Sequence, residues 1–130
     1  MRLKKVRALA FGVLLGAAGT MAVVSPAAAA TTVSGRVMCV SQRAVVGVWI
    51  QAESGGSGWA NWSRTGVQYE ANYSRSLPNG GRYQVHVGCG GTPQSWASNN
   101  KSGYVGGTVN YFTCSDVPYA GQYSWRCVKS

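Results

Sequence analysis

The sequence predicts an all-β protein with a single domain of about a hundred residues. Short runs of alternating apolar and polar residues recur after residue 30, and Gly, Pro and Asn residues separate them. No stretch after residue 30 shows convincing helical periodicity. The chain also has four cysteines, all in this region, and an even number of cysteines is typical of a small exported domain held by disulfides.

The first 30 residues have the pattern of a secretory signal peptide. Four basic residues among the first seven precede an apolar stretch from about Ala8 to Val24, and Pro26 and a run of alanines follow. A membrane anchor needs about 20 apolar residues, whereas glycines dilute this shorter run. We therefore expect cleavage near Ala30, a secreted extracellular protein without a membrane span after processing, and one folded domain over residues 31–130.

Alternation of apolar and polar residues predicts the first strands of the domain. In Val33 to Cys39 and in Tyr83 to Cys89, every second residue is apolar and each cysteine falls on the apolar face, so both cysteines are predicted to point inward. Between them, Ala44 to Ala52 is predicted as a more fully buried strand. Val67 to Ser76 is predicted as a strand with three aromatic or small residues on one face.

Turn residues connect the remaining predicted strands. Asn79-Gly80-Gly81 predicts a turn before the strand that starts at Arg82, because Asn and Gly tolerate the positive φ of a hairpin. Gly107 to Cys114 and Gln122 to Val128 are predicted as two final strands joined through a turn containing Asp116, Pro118 and Gly121.

The order of these segments resembles the transthyretin-type, carboxypeptidase-regulatory-like module. The resemblance rests on Val33-x-Gly35-x-Val37, on the Val45 to Ile50 strand and on Leu77-Pro78-x-Gly80-Gly81-x-Tyr83-x-Val85-x-Val87, within residues 33–90. It implies a small antiparallel β-sandwich of the Ig-like or transthyretin-like kind. The segments GVW and VGCGGTP-x-x-WA also resemble those of small exported proteins of Gram-positive bacteria, which imply no known activity.

Three disulfide pairings are possible for four cysteines. Cys39 and Cys89 share an inward face in the region of resemblance, and Cys114 and Cys127 flank the last predicted hairpin, so we expect the pairs Cys39–Cys89 and Cys114–Cys127. A zinc site is disfavoured because the closest cysteines are thirteen residues apart. We expect no metal and no cofactor.

The charged and nucleophilic residues do not form a recognisable catalytic pattern. His86 is the single histidine and is predicted to be solvated on the polar face of its strand, with no nucleophile elbow to complete a triad. Glu53 and Glu70 are predicted as separate surface carboxylates rather than the pair of a glycosidase. The basic residues are scattered singly, which argues against nucleic acid and leaves weak attraction to anionic polymers. We expect a protein that is not an enzyme.

Aromatic residues in glycine- and serine-rich segments are the feature of the sequence that indicates a binding surface. Trp59 and Trp62 lie in GGSGWANWS, Trp96 lies in GGTPQSWASNN, and Tyr104 follows in another such segment. These four residues either cover the open ends of the core or form an exposed contact surface. Neighbouring amide and hydroxyl side chains would complete a ligand site: Asn61, Ser63, Gln94, Asn99 and Asn100.

Two functional classes follow. The first is a non-enzymatic module that binds cell-wall or extracellular polysaccharide through Trp59, Trp62, Trp96 and Tyr104. The alternative is a secreted effector that acts on an extracellular protein, as an enzyme inhibitor or an antimicrobial factor. The sequence does not indicate an oligomeric state.

Overall fold

The computed structural model describes residues 29–130, so the predicted signal peptide lies almost wholly outside the described residues. The domain is all-β, as predicted, with one short 3-10 helix, Pro118–Tyr123. None of the helices in the described range is long or apolar enough to cross a membrane. The nine strands are β1 Thr31–Cys39, β2 Val45–Ala52, β3 Gly58–Trp59, β4 Asn61–Arg64, β5 Glu70–Leu77, β6 Tyr83–Thr92, β7 Ser95–Lys101, β8 Val109–Ser115 and β9 Arg126–Lys129.

The strands form one hydrogen-bonded sheet that nearly closes on itself. Its strand order is β3-β2-β6-β7-β9-β8-β1-β5-β4. The two edge strands, β3 and β4, are joined by Ala60 alone, and the Ala60 N–H donates to the Val48 carbonyl at 2.9 Å. The Arg64 guanidinium donates to the Val45 carbonyl from two nitrogens, at 3.1 and 3.0 Å. The two edges therefore meet, and the sheet resembles a barrel more than two separate layers.

This arrangement corrects the prediction of an antiparallel sandwich in two respects. The sheet is mixed, because β1 runs parallel to β8 and β9 runs parallel to β7. The turn at Asn79–Gly81 has the expected positive φ at Gly80 and Gly81, but β5 and β6 do not pair with each other. β5 pairs with β1 and β6 pairs with β2, so the turn carries the chain across the core and does not close a hairpin.

The core consists of the inward-facing residues of the predicted strands. Val37, Val48, Ile50, Val85 and Val87 are all completely buried, as alternation required. Burying apolar surface of this kind stabilises a fold by about 25 cal/mol per Å².

A small polar network crosses this core. The hydroxyls of Tyr73 and Tyr83 lie 2.7 Å apart, and Tyr73 donates to the Asn110 carbonyl at 2.9 Å. The Asn110 side-chain amide donates to the Tyr83 hydroxyl at 2.9 Å. Burial, followed by the hydrogen bond to Tyr83, raises the pKa of Tyr73 well above its ordinary value. Tyr73 is therefore a neutral hydrogen-bonding group inside the barrel.

Both predicted disulfides are confirmed. Cys39–Cys89 joins β1 to β6 with a Cα–Cα distance of 6.0 Å, and Cys114–Cys127 joins the neighbouring strands β8 and β9. In the chain-entropy description, loops of these lengths stabilise the fold by about 4 and about 3 kcal/mol, respectively. Both bridges are consistent with an extracellular protein, since disulfides persist in oxidising compartments.

Three strands were not predicted, and each lies in a glycine- and serine-rich segment. Trp59 is in β3, Trp62 is in β4 and Trp96 is in β7. The predicted strand Gln122 to Val128 is correct only at its end, because the 3-10 helix takes up its first residues. Short edge strands and polar strands have too little hydrophobic alternation to be distinguished from loops by sequence.

Candidate functional site

A row of outward-facing side chains crosses neighbouring strands at one level of the sheet. Trp49 of β2 is paired with Trp59 of β3 on one side and with His86 of β6 on the other. Residues directly opposite in neighbouring strands point to the same face. Because Val48 and Ile50 face the core, Trp49 and both its partners face outward.

Trp96 contacts this row although it is not in register with it, since its cross-strand partner is Gly91 and not His86. Its indole lies over Gly47 and Gly88, which are themselves cross-strand partners in β2 and β6. A Cβ built on Gly88 would lie 2.3 Å from Cδ2 of Trp96, and one built on Gly47 would lie 2.6 Å from Cζ2. Only glycine leaves room for the ring at either position, so the indole packs flat against the backbone of these two glycines.

The three indoles pack edge to face. The ring centroids of Trp49 and Trp59 are 5.0 Å apart at an interplanar angle of 84°, and those of Trp59 and Trp96 are 5.8 Å apart at 73°. Such pairs contribute about 0.5–1.5 kcal/mol beyond their burial. Trp59 nevertheless remains 61% exposed. We call these three residues, Trp49, Trp59 and Trp96, the tryptophan surface.

The tryptophan surface borders a shallow, open concavity of about 690 Å³. Polar groups alternate with the rings around it, and its lining residues are Trp49, Trp59, His86, Pro93, Gln94, Trp96 and Asn99. The Trp49 Nε1–H donates to the Gln51 side chain at 3.2 Å, and the Trp96 Nε1–H donates to the Pro93 carbonyl at 3.1 Å. These two bonds fix the orientation of both rings, so the site is preorganised.

His86 is the titratable group of the concavity. Its Nε2 lies 3.1 Å from the Gln84 side-chain oxygen. Partial burial, and then the positive charge of Lys101, lower the pKa of His86 below its ordinary value. The imidazole is therefore neutral at pH 7 and offers hydrogen bonds without a charge.

The structure separates the four predicted site residues. Trp59 and Trp96 come together, whereas Trp62 packs against the core between β4 and β5, opposite Tyr73. Tyr104 is 41% exposed but lies under the Arg82 guanidinium, 6.0 Å from its ring centroid, and does not line the concavity. The prediction therefore combined residues from three places.

Trp59 and Trp96 do not meet through loops at one end of the sheet, because β2 and β6 are antiparallel and end at opposite ends of the sheet. Trp59 reaches the site because β3 turns back along β2, and Trp96 because its ring folds over the start of β2.

Trp49 was not predicted as a site residue, and His86 was predicted to be solvated. Alternation along the strand could have predicted that Trp49 faces outward, because it lies between the inward-facing Val48 and Ile50. Of the five polar neighbours named from the sequence, Gln94 and Asn99 line the concavity, whereas Asn61, Ser63 and the buried Asn100 do not.

The three carboxylates of the chain lie outside this site. Glu53 pairs with Arg82 and Glu70 pairs with Arg36, at 2.6 and 3.7 Å. Asp116 is buried beneath Ser41, whose backbone N–H donates to it at 2.9 Å.

Asp116 also belongs to the one group of possible metal ligands found within residues 29–130, with Cys39 and Cys89. The two sulfurs of that group form a disulfide and offer no thiolate.

No protein-family model matches the chain, and neither a curated protein nor a solved structure is significantly similar to it. The resemblance to transthyretin-type modules therefore stays a prediction. The fold and the site define a small, disulfide-linked all-β protein with an exposed aromatic surface on a nearly closed sheet.

Proposed function

We propose that the protein is an exported, non-enzymatic module that binds extracellular polysaccharide on the tryptophan surface. The observation that carries this proposal is the preorganised cluster of three indoles, of which Trp59 is 61% exposed. Indole faces are flat and apolar with a polar edge, which suits stacking on the C–H face of a sugar ring. Trp59 is the exposed member of this cluster, and exposed apolar groups on one face often mark binding sites.

The polar groups of the concavity support a sugar as the ligand. Gln94, Asn99 and neutral His86 can each donate to or accept from hydroxyl groups. The lining contains no carboxylate, so neither the acid nor the nucleophile of a glycosidase is available beside a bound ring. This composition supports binding without hydrolysis.

Two features support export. The first 30 residues have the pattern of a signal peptide, and the described domain contains two disulfides. We expect the mature protein to begin near Thr31. Mass spectrometry of protein recovered from the culture medium tests this, and an intact Met1 would contradict it.

The binding test compares two exposed aromatic residues. The protein is mixed with insoluble chitin, cellulose and peptidoglycan, and the retained fraction is measured. Trp59→Ala should weaken retention by about 1–3 kcal/mol, the scale of an aromatic anchor. Tyr119→Ala is the matched control, because Tyr119 is 82% exposed and does not line the concavity. Equal retention of the wild type and Trp59→Ala would refute the proposal.

The alternative, an effector acting on a protein, is favoured by one other segment. The Cys114–Cys127 bridge closes a surface segment in which Tyr119, Tyr123 and Trp125 are all exposed. A braced loop with exposed aromatic residues is a common form of protein-binding epitope, because bracing lowers the entropy lost on binding. This alternative predicts no retention on any of the three polysaccharides.

A further inference from the structure

The row of outward-facing side chains that contains Trp49 and His86 extends to two positively charged residues, Lys101 and Arg126. His86 of β6 is paired with Lys101 of β7, and Lys101 is paired with Arg126 of β9. Paired residues of neighbouring strands point to the same face, so Trp59, Trp49, His86, Lys101 and Arg126 form one line across five strands. Four spacings of about 4.8 Å give this line a length of about 19 Å.

Three basic side chains in residues 29–130 take part in no ion pair or side-chain hydrogen bond: Lys101, Arg126 and Lys129. Arg36, Arg43 and Arg82 occupy all three carboxylates of the chain. Arg64 and Arg75 donate to backbone carbonyls. Within residues 29–130, neither Lys101 nor Arg126 makes an ion pair or a side-chain hydrogen bond, although both are exposed. Two of these three unpaired cations, Lys101 and Arg126, therefore lie side by side at one end of the row, whereas Lys129 lies outside it.

These two cations border a second concavity of about 510 Å³. Its lining residues are Gln84, Lys101, Ser102, Gly103, Tyr123, Ser124, Trp125, Arg126, Cys127 and Val128, with no carboxylate among them. Gln84 connects the two concavities, because its side chain also contacts His86.

Trp125 adds a second, independent observation at this site. It has a φ of +63°, a left-handed conformation that is unfavourable for a bulky residue. Its backbone is held there by Trp125 N–H donating to the Ser115 carbonyl at 2.7 Å and by Lys101 N–H donating to the Trp125 carbonyl at 3.3 Å. Strained backbone of this kind clusters at ligand sites. Here it presents an exposed indole beside Lys101 and Arg126.

We propose that the second concavity is an anion-binding subsite and that the ligand is an acidic polysaccharide, which bears carboxylate or phosphate groups. A sugar ring stacks on the tryptophan surface while a negative group farther along the same chain contacts Lys101 and Arg126. This inference rests on the proposed function and specifies its ligand class. Polynucleotides are disfavoured because they need a longer run of phosphate-binding cations than these two.

The test uses two pairs of polysaccharides, each with a charged and an uncharged member. Binding of the protein to polygalacturonate is compared with binding to its fully methyl-esterified form, and binding to phosphocellulose is compared with binding to cellulose. Lys101→Gln and Arg126→Gln should each weaken binding to a charged polymer about five- to tenfold, because each removes a charge-assisted contact. The loss should disappear in about 1 M salt, where charges are screened within about 3 Å. Whichever charged polymer shows the larger loss identifies the negative group.

Lys129→Gln is the matched control, since Lys129 lies on the same strand and alternates to the face opposite Arg126. It should change binding less than twofold. Equal losses for Lys129→Gln and Arg126→Gln would overturn the subsite in favour of diffuse attraction. Equal binding of the charged and uncharged members of both pairs, with Trp59→Ala still defective, would overturn the subsite alone. Charge-dependent binding that is unaffected by Trp59→Ala would retain the subsite and overturn the proposed function. Tighter binding to oligo(dT) than to either charged polymer would overturn both.

Discussion

Replacing Gly88 by alanine should disrupt the tryptophan surface without touching a tryptophan. The new Cβ would lie 2.3 Å from Cδ2 of Trp96, whereas ordinary contact is 3.4–4 Å, so the ring must move by about 1 Å or more. Gly88 does not have a positive φ, and its backbone accommodates alanine. The substitution therefore acts through the ring.

Two losses should follow from this displacement. Displacing the Trp96 indole from Gly47 and Gly88 should lower the unfolding free energy by about 1–3 kcal/mol, the usual cost of overpacking. Movement of Trp96 also breaks its edge contact with Trp59, 5.8 Å away, and polysaccharide retention should fall by about 1–3 kcal/mol.

The assay combines near-ultraviolet circular dichroism, which reports coupling between neighbouring indoles, with urea unfolding and polysaccharide retention. Gly66→Ala is the control, because nothing lies within 4 Å of a Cβ at Gly66. If Gly88→Ala matches Gly66→Ala in spectrum, stability and retention, the assignment of Gly88 as backbone against which the Trp96 indole packs is wrong.

Three further substitutions test other parts of the structure. Trp62→Ala should lower the unfolding free energy by about 2–4 kcal/mol and leave polysaccharide binding by the folded protein unchanged, because Trp62 packs on the core. Gly35→Ala should cost about 2 kcal/mol or more in urea unfolding, because a Cβ there would lie 1.8 Å from the Asn110 carbonyl. Stability should fall as the pH drops below about 6.5, and less so in His86→Gln.

The sign of the pH effect follows from the lowered pKa of His86. Burial and Lys101 make the folded state take up this proton at lower pH than the unfolded state, whose histidine titrates near its ordinary value of 6.5. The contribution to stability is therefore complete above that value and is lost as the pH falls below it. A wild type and a His86→Gln variant with the same loss on acidification would contradict this assignment.

Local alternation predicted the central strands, and together with the region of resemblance and the last predicted hairpin it predicted both disulfides. Cys39 and Cys89 lie in strands with regular apolar faces, so the side on which each points can be counted along the chain. Cys114 and Cys127 flank a short connection, which leaves few other partners within reach. Side-chain direction in a strand is a local property, and prediction succeeds where only that property is needed.

The tryptophan surface depends instead on register and on the path of the chain. Trp49, Trp59 and His86 meet because three strands align at one level, and no residue in any one strand encodes that alignment. Trp96 joins them because glycines 47 and 88, far apart in the chain, become cross-strand neighbours and leave space for its ring. Contacts between distant segments are decided by the closure of the whole sheet, so only the tertiary structure separates Trp59 and Trp96, at the surface, from Trp62, against the core.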